Sequence, residues 1–237
     1  MNVIKWASKN VPEPILIFAR PIYRVYKRVV GVLLFVLDSL KIIGPDFIYS
    51  EDYYSKRQND PWISDAQQVG SVIKQYFEPG SVIDFGCAIG AHLEPFYNDG
   101  VDIKGVEGNS DAFDYAVVPT KHLDQYDLRN KYDAEKEYDL VLSFELAEHL
   151  PERYADNLID TLANAGDTIV MTAATPGQGG THHVNEQPRE YWYEKFQSRG
   201  FEYDSEAVQD LRSMIDVEES TWIPDNIMVF VASDSTT

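Results

Sequence analysis

The stretch "VIDFGCAIGAHL", Val82 to Leu93, decides how this chain folds. The apolar segment Ser81–Phe85 reads as a strand. Gly86 and Gly90 then allow a tight turn and a close approach of the backbone to a ligand, and Ala91–Tyr97 reads as a helix whose first N–H groups lie free for that ligand. Two glycines fall short of the three of the dinucleotide pattern, so the surrounding sequence has to carry the reading.

Working outward, Ile103–Glu107, Tyr138–Phe144 and Thr168–Thr172 read as further strands, while Ser64–Phe77, Asp111–Tyr115 and Pro151–Ala163 read as helices. Strands alternating with helices imply an α/β fold, Rossmann-like and doubly wound, with a mainly parallel seven-stranded sheet and right-handed crossovers. In such sheets ligands lie beyond the carboxyl ends of the strands, near the switch point. Glu107 ends the strand after the glycine turn, 23 residues beyond Asp84, where an acid accepts hydrogen bonds from both hydroxyls of a ribose. Asp127, in "HLDQYDLRN", falls where the third strand should end, with Asp124 and Asp133 as close competitors.

The charge divides the chain in two. It carries 39 acidic and 20 basic residues, a net charge of −19. That balance argues against binding nucleic acid through a phosphate-neutralising surface and suits a salt-rich cytoplasm. Residues 1–45 nevertheless hold seven basic and two acidic residues, and from Pro21 to Ile43 apolar positions recur at the helical period with Arg24, Lys27 and Arg28 opposite. This basic amphipathic segment is expected to precede a single domain at 46–237. Through residues 14–43 it either lies on an anionic membrane surface at its cytoplasmic face or packs on the domain as a cover. Its longest apolar run, Val29 to Leu37, is too short to span a bilayer, and no secretory signal is present. Cys87 is the only cysteine, which rules out an intrachain disulfide and fits a reducing compartment; it reads as a small packing residue.

In these ordered motifs, over about residues 65–232, the chain resembles the class I S-adenosylmethionine-dependent methyltransferases. The resemblance implies S-adenosyl-L-methionine as cofactor, with Asp84, Gly86, Cys87 and Gly90 at the methionine moiety, Glu107 at the ribose and Asp127 beside adenine. It implies also that "YDLVLSFELAEHL", the fourth strand and its loop, brings Phe144 and Glu145 to the methyl donor. Ala88 stands where that family usually has glycine, and alanine fits the turn if its φ is negative.

Within that loop, Glu145, Glu148 and His149 are spaced to share one helical turn. Glu-x-x-Glu-His resembles the metal-binding motif of some quinone-biosynthesis and small-RNA 2′-O-methyltransferases, which implies Mg or Mn held by Glu145, Glu148, His149 and His183 or His182. The alternative is that Glu148 and His149 only fix the loop before a helix opened by Pro151. The glycine-rich segment "TPGQGGTHHVNEQPREYW", Thr175 to Trp192, follows the fifth strand and is expected to border the acceptor. A hydroxyl acceptor needs a base, for which His182, His183 and His149 are candidates with Glu145 alongside; a carboxylate needs only orientation. The leading expectation is O-methylation of a sugar or hexuronic acid of a surface or lipid-linked glycan, such as methyl-ester formation on an S-layer N-glycan. Methylation of a quinone or lipid precursor, and a cofactor-binding scaffold without activity, are the other two readings.

Overall fold

The computed structural model describes residues 51–59 and 61–233. The amphipathic segment read in residues 1–45, and its boundary with the domain, lie outside them. Seven strands, β1 (Ser81–Phe85), β2 (Asp102–Glu107), β3 (Leu123–Gln125), β4 (Leu140–Ser143), β5 (Thr168–Met171), β6 (Phe201–Tyr203) and β7 (Met228–Ala232), form one sheet in the order β3-β2-β1-β4-β5-β7-β6. The first five run parallel, and β7 is antiparallel to both β5 and β6. All five residues of β1 are buried, as expected for a strand covered on both faces.

Alternation along the strands divides the core. Val82, Leu140, Leu142 and Val170 point to one face, where they meet Val69 and Ile73 of α2 (Trp62–Phe77), after α1 (Glu51–Arg57), and Val208 and Leu211 of α6 (Ser205–Met214). On the opposite face Ile83, Phe85, Val141 and Ile169 pack on Leu158 and Leu162 of α4 (Ala155–Ala165) and on Trp192 and Phe196 of α5 (Arg189–Gln197). The chain leaves β1 toward β2 and β3, then returns across the sheet to β4. The carboxyl ends of β1 and β4 therefore flank the switch point. Among the described residues, no helix is long and apolar enough to cross a membrane.

Several boundaries differ from the sequence reading. The helix expected over Ala91–Tyr97 is only α3 (Glu94–Asn98), with turns from Gly90 to Leu93 before it. Pro95 lacks an N–H and fits only the first helical turn, so the helix starts beside it, joined to the glycine turn by Leu93 N–H and Glu94 N–H, which both donate to the Gly90 carbonyl at 3.1 Å. The helix expected from Pro151 opens instead as a 3-10 turn, Glu152–Tyr154, before α4. Ala88 has φ +47°, so the condition of a negative φ is not met and a left-handed conformation is held there without glycine. Gly86 and Gly90 also take positive φ, and a Cβ on Gly90 would stand 2.7 Å from Val118 Cγ2. Gly90→Ala is accordingly expected to lower stability by about 2 kcal/mol in urea unfolding. Val118→Ala in the same chain should recover the part due to contact. An unchanged midpoint in Gly90→Ala would show that the turn has another conformation.

Candidate active site

The glycine turn is pinned to β2. Gly86 N–H and Cys87 N–H donate to the Val106 carbonyl at 2.8 and 3.2 Å, and Ala88 N–H donates to Glu107 Oε2 at 3.0 Å. Glu107 Oε1 accepts from Asn109 N–H at 2.9 Å, which orients the carboxylate at the end of β2. Beside it, Asp84 is 1 % exposed and neither of its oxygens has a hydrogen-bond partner. Burial, and then the charge of Glu107, push its pKa up to about 7. Cys87 is buried, its thiol pKa raised by the same burial, and it packs where a Cβ on Gly105 would meet its sulfur at 2.7 Å. A pocket of about 130 Å³ opens over this turn, lined by Gly86, Cys87, Ala88, His92, Phe144 and Glu145 among others. A buried carboxylate without a partner and an oriented second acid fit a cofactor carrying an ammonium cation and a ribose diol, as an S-adenosyl cofactor does.

Beyond β4 the backbone turns sharply. Glu145 takes φ +50°, and its N–H donates to Thr172 Oγ1 at 2.9 Å. One 3-10 turn, Ala147–His149, follows, so Glu145 does not share a helical turn with Glu148 and His149 as its spacing suggests. Glu145 Oε2 accepts from Trp222 Nε1–H at 2.7 Å. Burial raises the carboxyl pKa of both Glu145 and Glu148, and the adjacent Glu145 charge raises Glu148 further, although no hydrogen bond of good geometry joins them. His149, held neutral by burial with its pKa near 3, hydrogen-bonds through Nδ1 to the His182 carbonyl at 3.2 Å. A carbonyl only accepts, so Nδ1 carries the proton.

A second, larger cleft of about 690 Å³ lies across this loop. Glu145, Tyr53, Arg57, Trp62 and Trp222 line both cavities, while His149, His183 and Gln178–Thr181 belong to the larger one alone. Glu145 thus stands at the junction of the two cavities. His182, at φ +58°, lines neither cavity, and its carbonyl orients His149. Asp127 also lines neither; it is tied bidentately to Arg129 just beyond β3. The sequence reading passed over His92, which stacks on Phe144 at 4.5 Å and which burial holds neutral, with a pKa near 4. It also missed Arg57, Lys56 and Trp222 as site residues. Of these, only Trp222, immediately before the Ile-Pro of α7 (Trp222–Asn226), offered a local hint.

The sequence profile of the methyltransferase domain family matches residues 57–211, well over half of the chain. No curated protein sequence matches it. Among solved structures, a sugar N-methyltransferase from a Streptoalloteichus species is similar at TM-score 0.59 and 14% identity, over 81% of this chain and 94% of that one. Magnesium protoporphyrin IX methyltransferase from Synechocystis, crystallised with S-adenosylhomocysteine, is similar at TM-score 0.54 and 16% identity, over 72% of this chain and 84% of that one. DesVI of Streptomyces venezuelae gives TM-score 0.56 at 15% identity, over 77% and 96%. Identities this low carry the fold alone. With the glycine turn, the acid at the end of β2 and the profile match in agreement, the chain belongs to the methyltransferase domain family.

Proposed function

We propose that the protein is an S-adenosylmethionine-dependent O-methyltransferase whose acceptor is a sugar or hexuronic acid of a surface or lipid-linked glycan. The observation that carries this reading is the composition of the larger cleft, which meets the cofactor pocket at Glu145 and joins two tryptophans to two cations. Trp62 and Trp222, with ring centroids 6.0 Å apart, offer flat apolar faces suited to the C–H face of a pyranose. Arg57 lies over the Tyr53 ring at 3.8 Å, and Lys56 is exposed beside it. Among the described residues neither cation has a carboxylate within ion-pair distance, in a protein whose acids outnumber its bases by 39 to 20. Cations left over for the cleft favour an acidic acceptor over a neutral quinone or lipid precursor.

Methyl transfer from a sulfonium is an in-line displacement, in which most of the catalysis comes from holding the nucleophile, methyl and sulfur collinear. A hexuronate oxygen is already ionised and needs only that orientation, giving a methyl ester as on an S-layer N-glycan. For a hydroxyl acceptor, His183 and Glu145 stand in the same cleft to take the proton, whereas His149, with its pKa near 3, is too weak a base for that role. Membrane-linked acceptors accord with the basic residues 14–43 lying on the cytoplasmic face. Deletion of residues 1–45 is then expected to reduce partition onto anionic liposomes.

The reading is tested by giving the full chain methyl-labelled S-adenosylmethionine and cell extract. Label is expected in lipid-linked saccharide and to be released by mild base as methanol. Label confined to a free organic metabolite would replace the glycan acceptor with a small molecule. Lys56→Ala is expected to raise the acceptor KM several-fold, about 1 kcal/mol at low salt and less at high salt, with cofactor affinity unchanged.

A further inference from the structure

We infer that the side-chain amide of Gln178 is the hydrogen-bond donor that recognises the acceptor's carboxylate in the larger cleft, and that Asn226 is the positioning residue that holds this amide in place. The inference deepens the proposed function and rests on its reading of this cleft as the acceptor site. Gln178 lines the larger cleft and not the cofactor pocket, at an exposed position. It stands between Gly177 and Gly179, which take φ +90° and +70°. One carboxylate clamps both glycines, since Glu186 accepts from Gly177 N–H at 2.8 Å and from Gly179 N–H at 2.7 Å. A Cβ on either glycine would meet nothing within 4 Å, so what glycine supplies there is the left-handed backbone of an arch that carries Gln178.

Which end of the amide is left for a ligand follows from its partners. Gln178 Oε1 accepts from Asn226 Nδ2 at 2.8 Å, and Thr175 N–H reaches the same oxygen at 3.4 Å. The two ends of a side-chain amide have nearly the same shape, but a backbone N–H only donates, so the atom that Thr175 meets is the oxygen. Asn226 must then turn its own –NH2 toward Gln178. It is buried, 3 % exposed, at the end of α7, which fixes it as a support. With Oε1 held from two sides, Gln178 offers the cleft its –NH2, whose N–H groups have no partner among the described residues.

A donor-only group selects its ligand. Lys56, in the same cleft, likewise only donates. An ionised carboxylate only accepts, and its charge strengthens each bond it receives. A protonated sugar amine would instead set donor against donor, so the arrangement favours an acid over an amine. Helix α7 thereby serves the cleft at two points, through Trp222 on Glu145 and through Asn226 on Gln178.

The test titrates the full chain, saturated with S-adenosylhomocysteine, with p-nitrophenyl β-glucuronide and with its neutral counterpart, p-nitrophenyl β-glucoside. The natural sequence is expected to bind the glucuronide at least about tenfold more tightly than the glucoside. Gln178→Ala should weaken the glucuronide about tenfold while leaving the glucoside and S-adenosylhomocysteine within about twofold. Asn226→Ala should weaken the glucuronide by a similar factor, and the double variant should lose no more than Gln178→Ala alone, because Asn226 acts through the glutamine. Folding of each variant is checked by its unfolding midpoint, and Gln178→Ala, on an exposed loop, decides the matter if Asn226→Ala does not fold. Glucuronide affinity unchanged in Gln178→Ala overturns the assignment and leaves the glycan reading standing. Losses that add in the double variant overturn the role of Asn226. Equal binding of the two probes by the natural sequence, or binding of neither, overturns the assignment together with the acidic acceptor.

Discussion

Asp84→Asn is expected to make the cofactor-free protein more stable and cofactor binding much weaker. In the folded chain the Asp84 carboxyl is buried without a hydrogen-bond partner, and burial followed by the nearby Glu107 charge raises its pKa to about 7. For an acid raised above its ordinary 3.8, the folded state holds a proton that the unfolded state has released. Stability therefore falls as pH rises from about 4 to about 7, and asparagine removes that penalty. Cofactor binding has the opposite sign. The ammonium group of S-adenosylmethionine favours the ionised carboxylate, so affinity should tighten as pH rises through 7 and binding should release about one proton. Losing a charged hydrogen bond of about 2 kcal/mol would weaken binding roughly thirtyfold and abolish this pH dependence. Calorimetry in buffers of different ionisation enthalpy counts the proton directly. Binding that stays pH-independent in the natural sequence would take Asp84 out of the cofactor site.

The strands were legible because their signal is local. Ser81–Phe85 is a short apolar run bounded by Gly80 and Gly86, and the structure reproduces its limits; β5 ends one residue earlier than read. Helix starts were less legible, since Pro95 shifts α3 by three residues although the apolar pattern begins sooner. Backbone angles were less legible still. Ala88 and Glu145 hold positive φ that residue type argues against, and each is fixed by a partner distant in sequence, Ala88 by Glu107 and Glu145 by Thr172. Such conformations cost about 1–3 kcal/mol and persist only when the surroundings over-determine them. The segment Ser143 to Leu150 was readable as a candidate site segment from its place after the fourth strand, and Phe144, Glu145 and His149 line the two cavities. Which of its acids faces which cavity depends on contacts with residues 172, 183 and 222, and no local spacing encodes those.

Asp65 shows what such distant contacts do, and its replacement is expected to have the second large effect. It lies on the buried stripe of α2 with Val69, Val72 and Ile73, where a charged residue is out of place unless paired. Its carboxylate accepts three backbone N–H bonds, from Glu218 at 2.8 Å, Glu219 at 2.9 Å and Ser220 at 2.7 Å. Burial alone would raise its pKa, but these donors outweigh it and hold the pKa below 3.8. The stability it contributes is therefore present above pH 4 and lost as pH falls through the lower folded value. The tethered turn leads directly into α7, whose Trp222 lies tilted against Trp62 and donates to Glu145 at the junction of the two cavities. Residues 218–226 lie beyond the segment matched by the family profile. Asp65→Ala is expected to cost about 3 kcal/mol in urea unfolding, because three donors lose a charged acceptor at once. Trp222→Phe keeps the aromatic wall but removes the N–H, so it separates packing from orientation. It should leave cofactor affinity within about twofold and lower the methyl-transfer rate at least about tenfold, the share of a hydrogen bond to a charged group. A Trp222→Phe rate equal to that of the natural sequence would reduce Trp222 to a wall and leave Glu145 oriented by Thr172 alone.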